Sequence, residues 1–170
     1  MDFIEDIKNG AIFIYPTDTI YGLGCDATNE ESVKLIKDLK YKDKDKPMSV
    51  IAPSIDWIKQ NCEVTDELIE KYLPGPYTLI IKKKNPNFLK HVSSTDTLGI
   101  RIPDSEFTKL IQKSGVPFIT TSVNFVGEPY AIQISDIDKK ILDAVDIIIG
   151  VGRLDGRPST LVIDGEEIAR

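Results

Sequence analysis

Seven short apolar runs, each four to six residues long, recur along the chain: Ala11–Tyr15, Met48–Ala52, Tyr77–Lys82, Leu98–Ile102, Pro117–Thr121, Val145–Ile149 and Thr160–Ile163. Runs of this length, rich in β-branched and aromatic residues and bounded by turn formers, read as strands. Between them lie segments with helix start and stop signals. Asp2 sits near the start of a short helix over 2–9 that Gly10 stops. Asn29 caps a helix over roughly 30–40, with Val33, Ile36 and Leu39/Lys40 marking its faces. Ser54 and Thr65 are N-cap candidates for two short helices, the second ending before Pro74-Gly75-Pro76. Asp104 caps a helix that stops at Gly115, and Ser135 begins one that ends near Ala144. Asp164-Gly165 is a hairpin turn signal leading into Glu167–Arg170. Strands and helices mix without strict βαβ alternation. The pattern therefore predicts one α/β domain over residues 1–170, a twisted mixed sheet with helices packed against it.

Composition removes several alternatives. A chain of 170 residues buries about 70% of the surface its unfolded form exposes. With 41% hydrophobic residues and a net charge of -6, disorder is excluded as the dominant state. No apolar run approaches the roughly 20 residues of a membrane helix. MDFIEDIKNG carries acids and no apolar h-region, which predicts no signal peptide and a cytoplasmic protein with Cys25 and Cys62 as reduced thiols. Those cysteines and His91 are one ligand short of a structural zinc site, so no protein-bound metal is expected. The chain has no GxSxG elbow, no P-loop and no GxGxxG. Its excess of acid also disfavours wrapping a polyanion. Residues 34–46 are the exception, with six lysines against three aspartates, a local charge suited to a focused anionic ligand.

Four segments carry more polar chemistry than scaffolding needs. Tyr15-Pro-Thr-Asp-Thr-Ile-Tyr-Gly-Leu-Gly24 follows the first strand and gathers hydroxyls, a carboxylate and glycines. It reads either as a cradle for a ligand or as a polar turn in which Asp18 bonds its own backbone. In Lys40–Pro47 the lysines at 40, 42, 44 and 46 would share one side of an extended loop, facing phosphate or simply solvent. Arg101 stands inside an apolar strand, which demands an anionic partner or an outward-facing edge. Thr121, Ser122 and Asn124 cluster at the C-terminal end of a strand, as a ligand site or a capping turn. Arg157-Pro-Ser-Thr160 adds hydroxyls before the next strand.

In this order the segments resemble the YrdC/TsaC family of threonylcarbamoyl-AMP synthases. The matching signatures are PTDTIYGLGCDAT (16–28), KPMSV (46–50), LPGPYTLII (73–81), LGIRIPD (98–104), SVN (122–124) and PSTLVID (158–164). The resemblance implies a YrdC-like domain around a deep, positively lined cleft, in a short form without an added C-terminal domain. It implies an enzyme that joins L-threonine, bicarbonate and ATP, with Mg2+, into threonylcarbamoyl-AMP and pyrophosphate. The product would pass to a downstream tRNA threonylcarbamoyl transferase. The family's Lys-x-Arg and Ser-x-Asn sets fall on Lys40, Lys42, Ser122 and Asn124. Lys40, Lys42 and Arg101 become the candidate catalytic cations. Thr97, Ser122, Asn124 and Arg170 join Lys40 and Lys42 on the nucleotide side, and Thr19, Lys46, Arg101, Thr121 and Ser159 fall on the threonine side. The chain departs from the family at Lys42 (usually Arg), Asp43 (Pro), Thr121 (Pro) and Val123 (Ala). Two other readings stand beside this one. One is an RNA-binding module, with weak RNA binding on a basic face of Lys34–Lys46 and Lys82-Lys83-Lys84. The other is a carbamoyl-transfer domain with a different acceptor.

Overall fold

Four short polar side chains start four helices. Asp2 accepts from the amides of Ile4 and Glu5, Asn29 from Ser32, Ser54 from Trp57 and Thr65 from Leu68. Each satisfies donors that the first helical turn leaves free. The helices are α1 (Phe3–Lys8), α2 (Glu30–Lys40), α3 (Ile55–Asn61) and α4 (Asp66–Tyr72). The structure is a computed structural model that describes residues 2–170. Helix α5 (Glu106–Ser114) ends on Gly115 at φ 73°, as its sequence predicts, but its N-cap is Ser105 rather than Asp104. Asp104 is drawn elsewhere, its amide donating to Asp18 Oδ2 at 3.0 Å. The helix expected from Ser135 is broken in two. Ile134–Asp136 forms one 3₁₀ turn, and α6 (Lys139–Ala144) starts afresh where Asp138 accepts from the Lys140 amide.

Nine strands join one sheet among the described residues: β1 (Phe13–Tyr15), β2 (Gly22–Gly24), β3 (Ser49–Ile51), β4 (Tyr77–Lys82), β5 (Thr97–Arg101), β6 (Phe118–Ser122), β7 (Ile147–Ile148), β8 (Thr160–Ile163) and β9 (Glu166–Ile168). Their order is β7-β1-β2-β6-β3-β5-β4-β8-β9. The β7/β1, β3/β5 and β4/β8 pairs are parallel and the others antiparallel, which is the mixed sheet expected. Asp164 and Gly165 both take positive φ, 52° and 79°, and turn β8 into β9.

Strand β2 is not predicted by pattern, since Gly-Leu-Gly has little strand preference of its own. Pairing on both edges forms it: Ile14↔Leu23 to β1 and Leu23↔Thr121 to β6. A Cβ on Gly24 would lie 1.8 Å from the Ile119 carbonyl oxygen. Close strand packing, rather than approach to a ligand, demands that glycine.

Alternation along β1 divides the core. Phe13 and Tyr15 join Ile7 of α1 and Phe107 and Ile111 of α5 in one buried cluster, while Ile14 enters the larger core of the opposite face. The Tyr15 ring stacks on Phe107 at 4.2 Å and 14°, and Phe118 meets both edge-on. The Tyr15 hydroxyl donates to the Ile119 carbonyl at 2.9 Å, so burial of this phenol leaves no unpaired proton. Both cysteines are buried and unpaired. No helix among the described residues is long and apolar enough to cross a membrane. Because Phe107 packs against the rings of Phe13, Tyr15 and Phe118, Phe107→Ala should destabilise the protein by about 3–5 kcal/mol in urea unfolding. A loss below about 1 kcal/mol would show that this cluster does not hold α5 to the sheet.

Candidate functional site

Residues of β2 to β6 line a cavity of about 350 Å³, with Gly22, Ser49, Thr78, Arg101 and Thr120 to Ser122 on its wall. Thr17 and Thr19 to Tyr21 in the loop after β1, Lys40, Tyr41 and Lys46 to Met48 after α2, parts of the turn after β6, and Ser159 and Arg170 complete it. Four cations line the cavity, Lys40, Lys46, Arg101 and Arg170, and no carboxylate does among the described residues. In a protein of net charge -6 this segregation makes one locally positive concavity.

Lys40 is the last residue of α2, where a cation complements the helix dipole. It is 7% exposed. Its Nζ donates to the Ser122 carbonyl at 2.5 Å and to Thr121 Oγ1 at 2.8 Å, with Ser122 Oγ at 3.4 Å. All three partners are neutral. Burial, and then the nearby charge of Lys46, push the Lys40 ammonium down to about 7. Tyr41 supports the arrangement: its hydroxyl lies 3.0 Å from Thr121 Oγ1, and its ring lies 5.4 Å from Lys40 Nζ and 5.2 Å from Lys46 Nζ. The Ser122 hydroxyl donates to Asn124 Oδ1 at 2.5 Å, and Asn124 Nδ2 donates to the Glu128 carbonyl, which fixes the turn after β6.

Arg101 is 5% exposed and answers to Asp18, whose Oδ1 lies 2.5 Å from Nη2. Nη1 reaches Thr19 Oγ1 at 3.4 Å, and Nε is buried with no partner. Asp18 Oδ2 also accepts from the Asp104 amide, so one carboxylate ties the loop after β1 to the end of β5. Within the loop, Thr17 Oγ1 donates to the Ile20 carbonyl and accepts from the Thr19 amide. On the far wall, Ser159 Oγ and Thr78 Oγ1 are 2.6 Å apart, and Arg170 donates to the Ser159 carbonyl and hydroxyl. A Cβ on Gly156 would lie 1.9 Å from the Thr19 carbonyl oxygen, so only glycine lets the chain before Ser159 lie flat on that loop.

Nine of the residues singled out in the sequence meet here: Thr19, Lys40, Lys46, Arg101, Thr121, Ser122, Asn124, Ser159 and Arg170. Lys42 and Thr97 do not line the cavity. Lys42 is exposed, and Thr97 sits at the opposite end of β5, about 13 Å along the strand from Arg101. The expected row of lysines is therefore broken. Lys40 belongs to a helix, Lys44 turns back onto the Tyr41 carbonyl at 2.7 Å and onto Asp38, and only Lys46 joins Lys40 at the cavity. The expected basic face is broken too. Lys83 is 1% exposed and donates to the Ser93 and Pro86 carbonyls, while Lys34 is paired with Asp38. His91 contacts the Ala27 carbonyl, away from the cavity wall. Tyr41, Thr78 and the bridging role of Asp18 were not singled out. Tyr41 could have been noticed as the one aromatic within the lysine run, and Asp18 as the one charge within PTDT.

Residues 5–169 match the Sua5/YciO/YrdC family model, described as telomere recombination. The chain belongs to the Sua5/YciO/YrdC family. A Methanocaldococcus jannaschii member of 36% identity over 167 residues, 95% of this chain and 79% of that one, is named provisionally as a threonylcarbamoyl-AMP synthase. A Pseudomonas fluorescens threonylcarbamoyl-AMP synthase is 30% identical over 94% of this chain and 88% of its own length. The crystal structure of Pyrococcus abyssi Sua5 complexed with L-threonine superposes with a TM-score of 0.81 at 28% identity, covering 94% of this chain and 49% of that one. This chain thus spans about half the length of that Sua5.

The buried lysine makes a prediction about stability. The Lys40 ammonium sits near 7 when folded and near 10.4 when unfolded, so between those values the unfolded chain holds the extra proton. The penalty for burying it grows as pH falls from about 10 towards 7 and is complete below. Relative to Lys40→Met, the wild type should therefore lose about 1.4 kcal/mol per pH unit on acidification across that window. Urea unfolding of both proteins at pH 6, 8 and 9.5 tests this, and a constant difference would show that Lys40 stays charged throughout.

Proposed function

We propose that this chain is a threonylcarbamoyl-AMP synthase, which joins L-threonine, bicarbonate-derived CO2 and ATP into threonylcarbamoyl-AMP and pyrophosphate for a tRNA threonylcarbamoyl transferase. The observation that carries the reading is the carboxylate-free cavity with four cations, in a chain whose family members bear that enzyme name. Threonine's amine combines with CO2 to give an N-carboxy species. Its carboxylate oxygen attacks the α-phosphorus of ATP, the bond to the leaving phosphate breaks, and pyrophosphate departs. Negative charge spreads over the phosphoryl oxygens as this happens. Fixed cations held in advance by the fold stabilise that state more than the ground state.

Lys40, Lys46, Arg101 and Arg170 are the groups positioned to do so. Arg101 is oriented in advance by Asp18. Ser122 and Asn124 offer a hydroxyl and an amide to the nucleotide side, and Thr19, Thr121 and Ser159 offer hydroxyls to the amino acid. Magnesium enters with the nucleotide, on its phosphates, because the donors on this wall are cations and hydroxyls that do not fit a protein-held ion. The N-carboxy amine reverts readily, and confinement in a 350 Å³ cavity holds the pieces together until the adenylyl transfer.

The wild-type protein should release pyrophosphate only when L-threonine, bicarbonate and MgATP are all present. Release that ignores threonine would point to a carbamoyl-transfer domain with another acceptor, or to simple hydrolysis. ATP affinity should separate the lysines. Lys46→Ala should weaken it by about tenfold, the loss of one charged hydrogen bond, whereas Lys42→Ala and Lys42→Arg should leave it within about twofold. The reverse ranking would mean that Lys42 swings in to meet phosphate.

A further inference from the structure

The reaction proposed above meets threonine as an ammonium, which has no lone pair with which to attack CO2. Two protons must leave that nitrogen before the carbamate exists. The cavity wall carries neither a carboxylate nor a histidine among the described residues. Arginine does not accept protons at working pH. The Tyr41 hydroxyl is held against Thr121 and burial pushes it up, so it stays protonated. Lys46 is exposed.

Lys40 is different. Its nitrogen is buried among neutral acceptors, and two of its N–H directions are taken by the Ser122 carbonyl and Thr121 Oγ1. Ser122 Oγ, at 3.4 Å, is too far for a strong third bond, and its own proton goes to Asn124. The last tetrahedral position on Nζ is a proton in the ammonium and a lone pair in the amine. The charged and titratable groups near it are Lys46 and the Tyr41 phenol, with Arg101 and Arg170 elsewhere on the cavity wall. None of the three cations favours a charged Lys40.

We propose that neutral Lys40 takes a proton from the threonine ammonium, and that the lysinium so formed then stabilises the phosphoryl charge of the adenylation step. The proposal rests on the synthase reading. In the first step one N–H bond of threonine breaks and one forms on Lys40 Nζ. The freed amine then bonds to the carbon of CO2, and the second ammonium proton leaves with the hydroxide that bicarbonate gave up on forming CO2, as water. The carbamate oxygen displaces pyrophosphate from the α-phosphorus while Lys40 is charged. Lys40 returns its proton to solvent when products leave. One residue thus serves as base and then as cation, which links the arrival of threonine to the charge that the phosphate needs.

The test separates those two duties. Forward synthesis from threonine, bicarbonate and MgATP is measured beside the pyrophosphorolysis of threonylcarbamoyl-AMP to ATP, which needs no proton taken from an ammonium. Lys40→Arg keeps the charge but cannot act as a base. It should lose about 10²-fold or more in forward synthesis while pyrophosphorolysis falls no more than about tenfold. Ethylamine should restore forward synthesis to Lys40→Ala, or to Lys40→Gln if the alanine variant does not fold, in proportion to the free base as pH is raised. Equal losses in both directions for Lys40→Arg, rescue that follows ethylammonium, or equal rescue by guanidinium would each reduce Lys40 to a fixed charge and overturn the proposal. A wild-type protein inactive in both directions would overturn the synthase reading itself, and the proposal with it. Wild-type activity combined with any of the three contrary results would leave that reading standing and remove only the base.

Discussion

A guanidinium buried in a sheet has to be answered, and Asp18 answers Arg101. The pair is almost wholly removed from water, and breaking one side of such a pair leaves a charge that nothing nearby can neutralise. The consequences reach beyond two side chains. Asp18 sits in the loop that follows β1, Arg101 ends β5, and the same carboxylate holds the backbone at Asp104, where the chain turns towards α5. Three separate pieces of sequence therefore have one allowed arrangement. The hydroxyls of Thr17 and Thr19 and the surface under Gly156 are positioned as a result.

The cavity is a place where the molecule gives up stability for readiness. Burial and mutual repulsion lower the ammonium of Lys40 and the guanidinium of Arg170, the latter beside Arg101. No carboxylate on the wall relieves them. An anionic ligand would supply what the fold withholds, and anything that binds only the folded state adds its binding free energy to stability. The acidic balance of the rest of the chain confines this positive field to one concavity rather than a broad face, which selects for a compact anion over a long polyanion.

What could be read from the sequence depended on how local the deciding interaction was. Asn29, Ser54 and Thr65 start their helices by bonding amides three residues ahead, so a few letters suffice. The Asp164-Gly165 turn is equally local. Strand β2 was hidden because its partners, β1 and β6, decide its conformation and two of its three residues are glycine. Helix α5 starts one residue later than the sequence suggests, at Ser105, which makes no side-chain cap, while the Asp104 amide is held by the distant carboxylate of Asp18. The lysine run misled for a similar reason. Its alternate residues share a side only in an extended chain, whereas Lys40 is helical and the residues after it turn. Nine of the eleven candidate residues drawn from the ordered motifs line one cavity, and the two that do not, Lys42 and Thr97, lie in contexts where motif letters alone do not say which way a side chain faces.

The far wall of the cavity comes from residues far along the sequence from the loop and strand they cover. Tyr21 bonds both Val151 and Gly152, Gly156 lies on Thr19, and β8 zips in parallel onto β4 from the far end of the sequence. While the polypeptide is still emerging, β4 has an open edge and the Thr17–Tyr21 loop has no cover. Strand edges left open in this way are where nascent chains stick to one another. The slowest step of assembly should be this closure, because it joins the residues most widely separated in sequence. The far wall of the cavity and the cover over β4 are thus completed by the same event, and the open edge passes to the short strand β9, which carries Glu166 and Glu167.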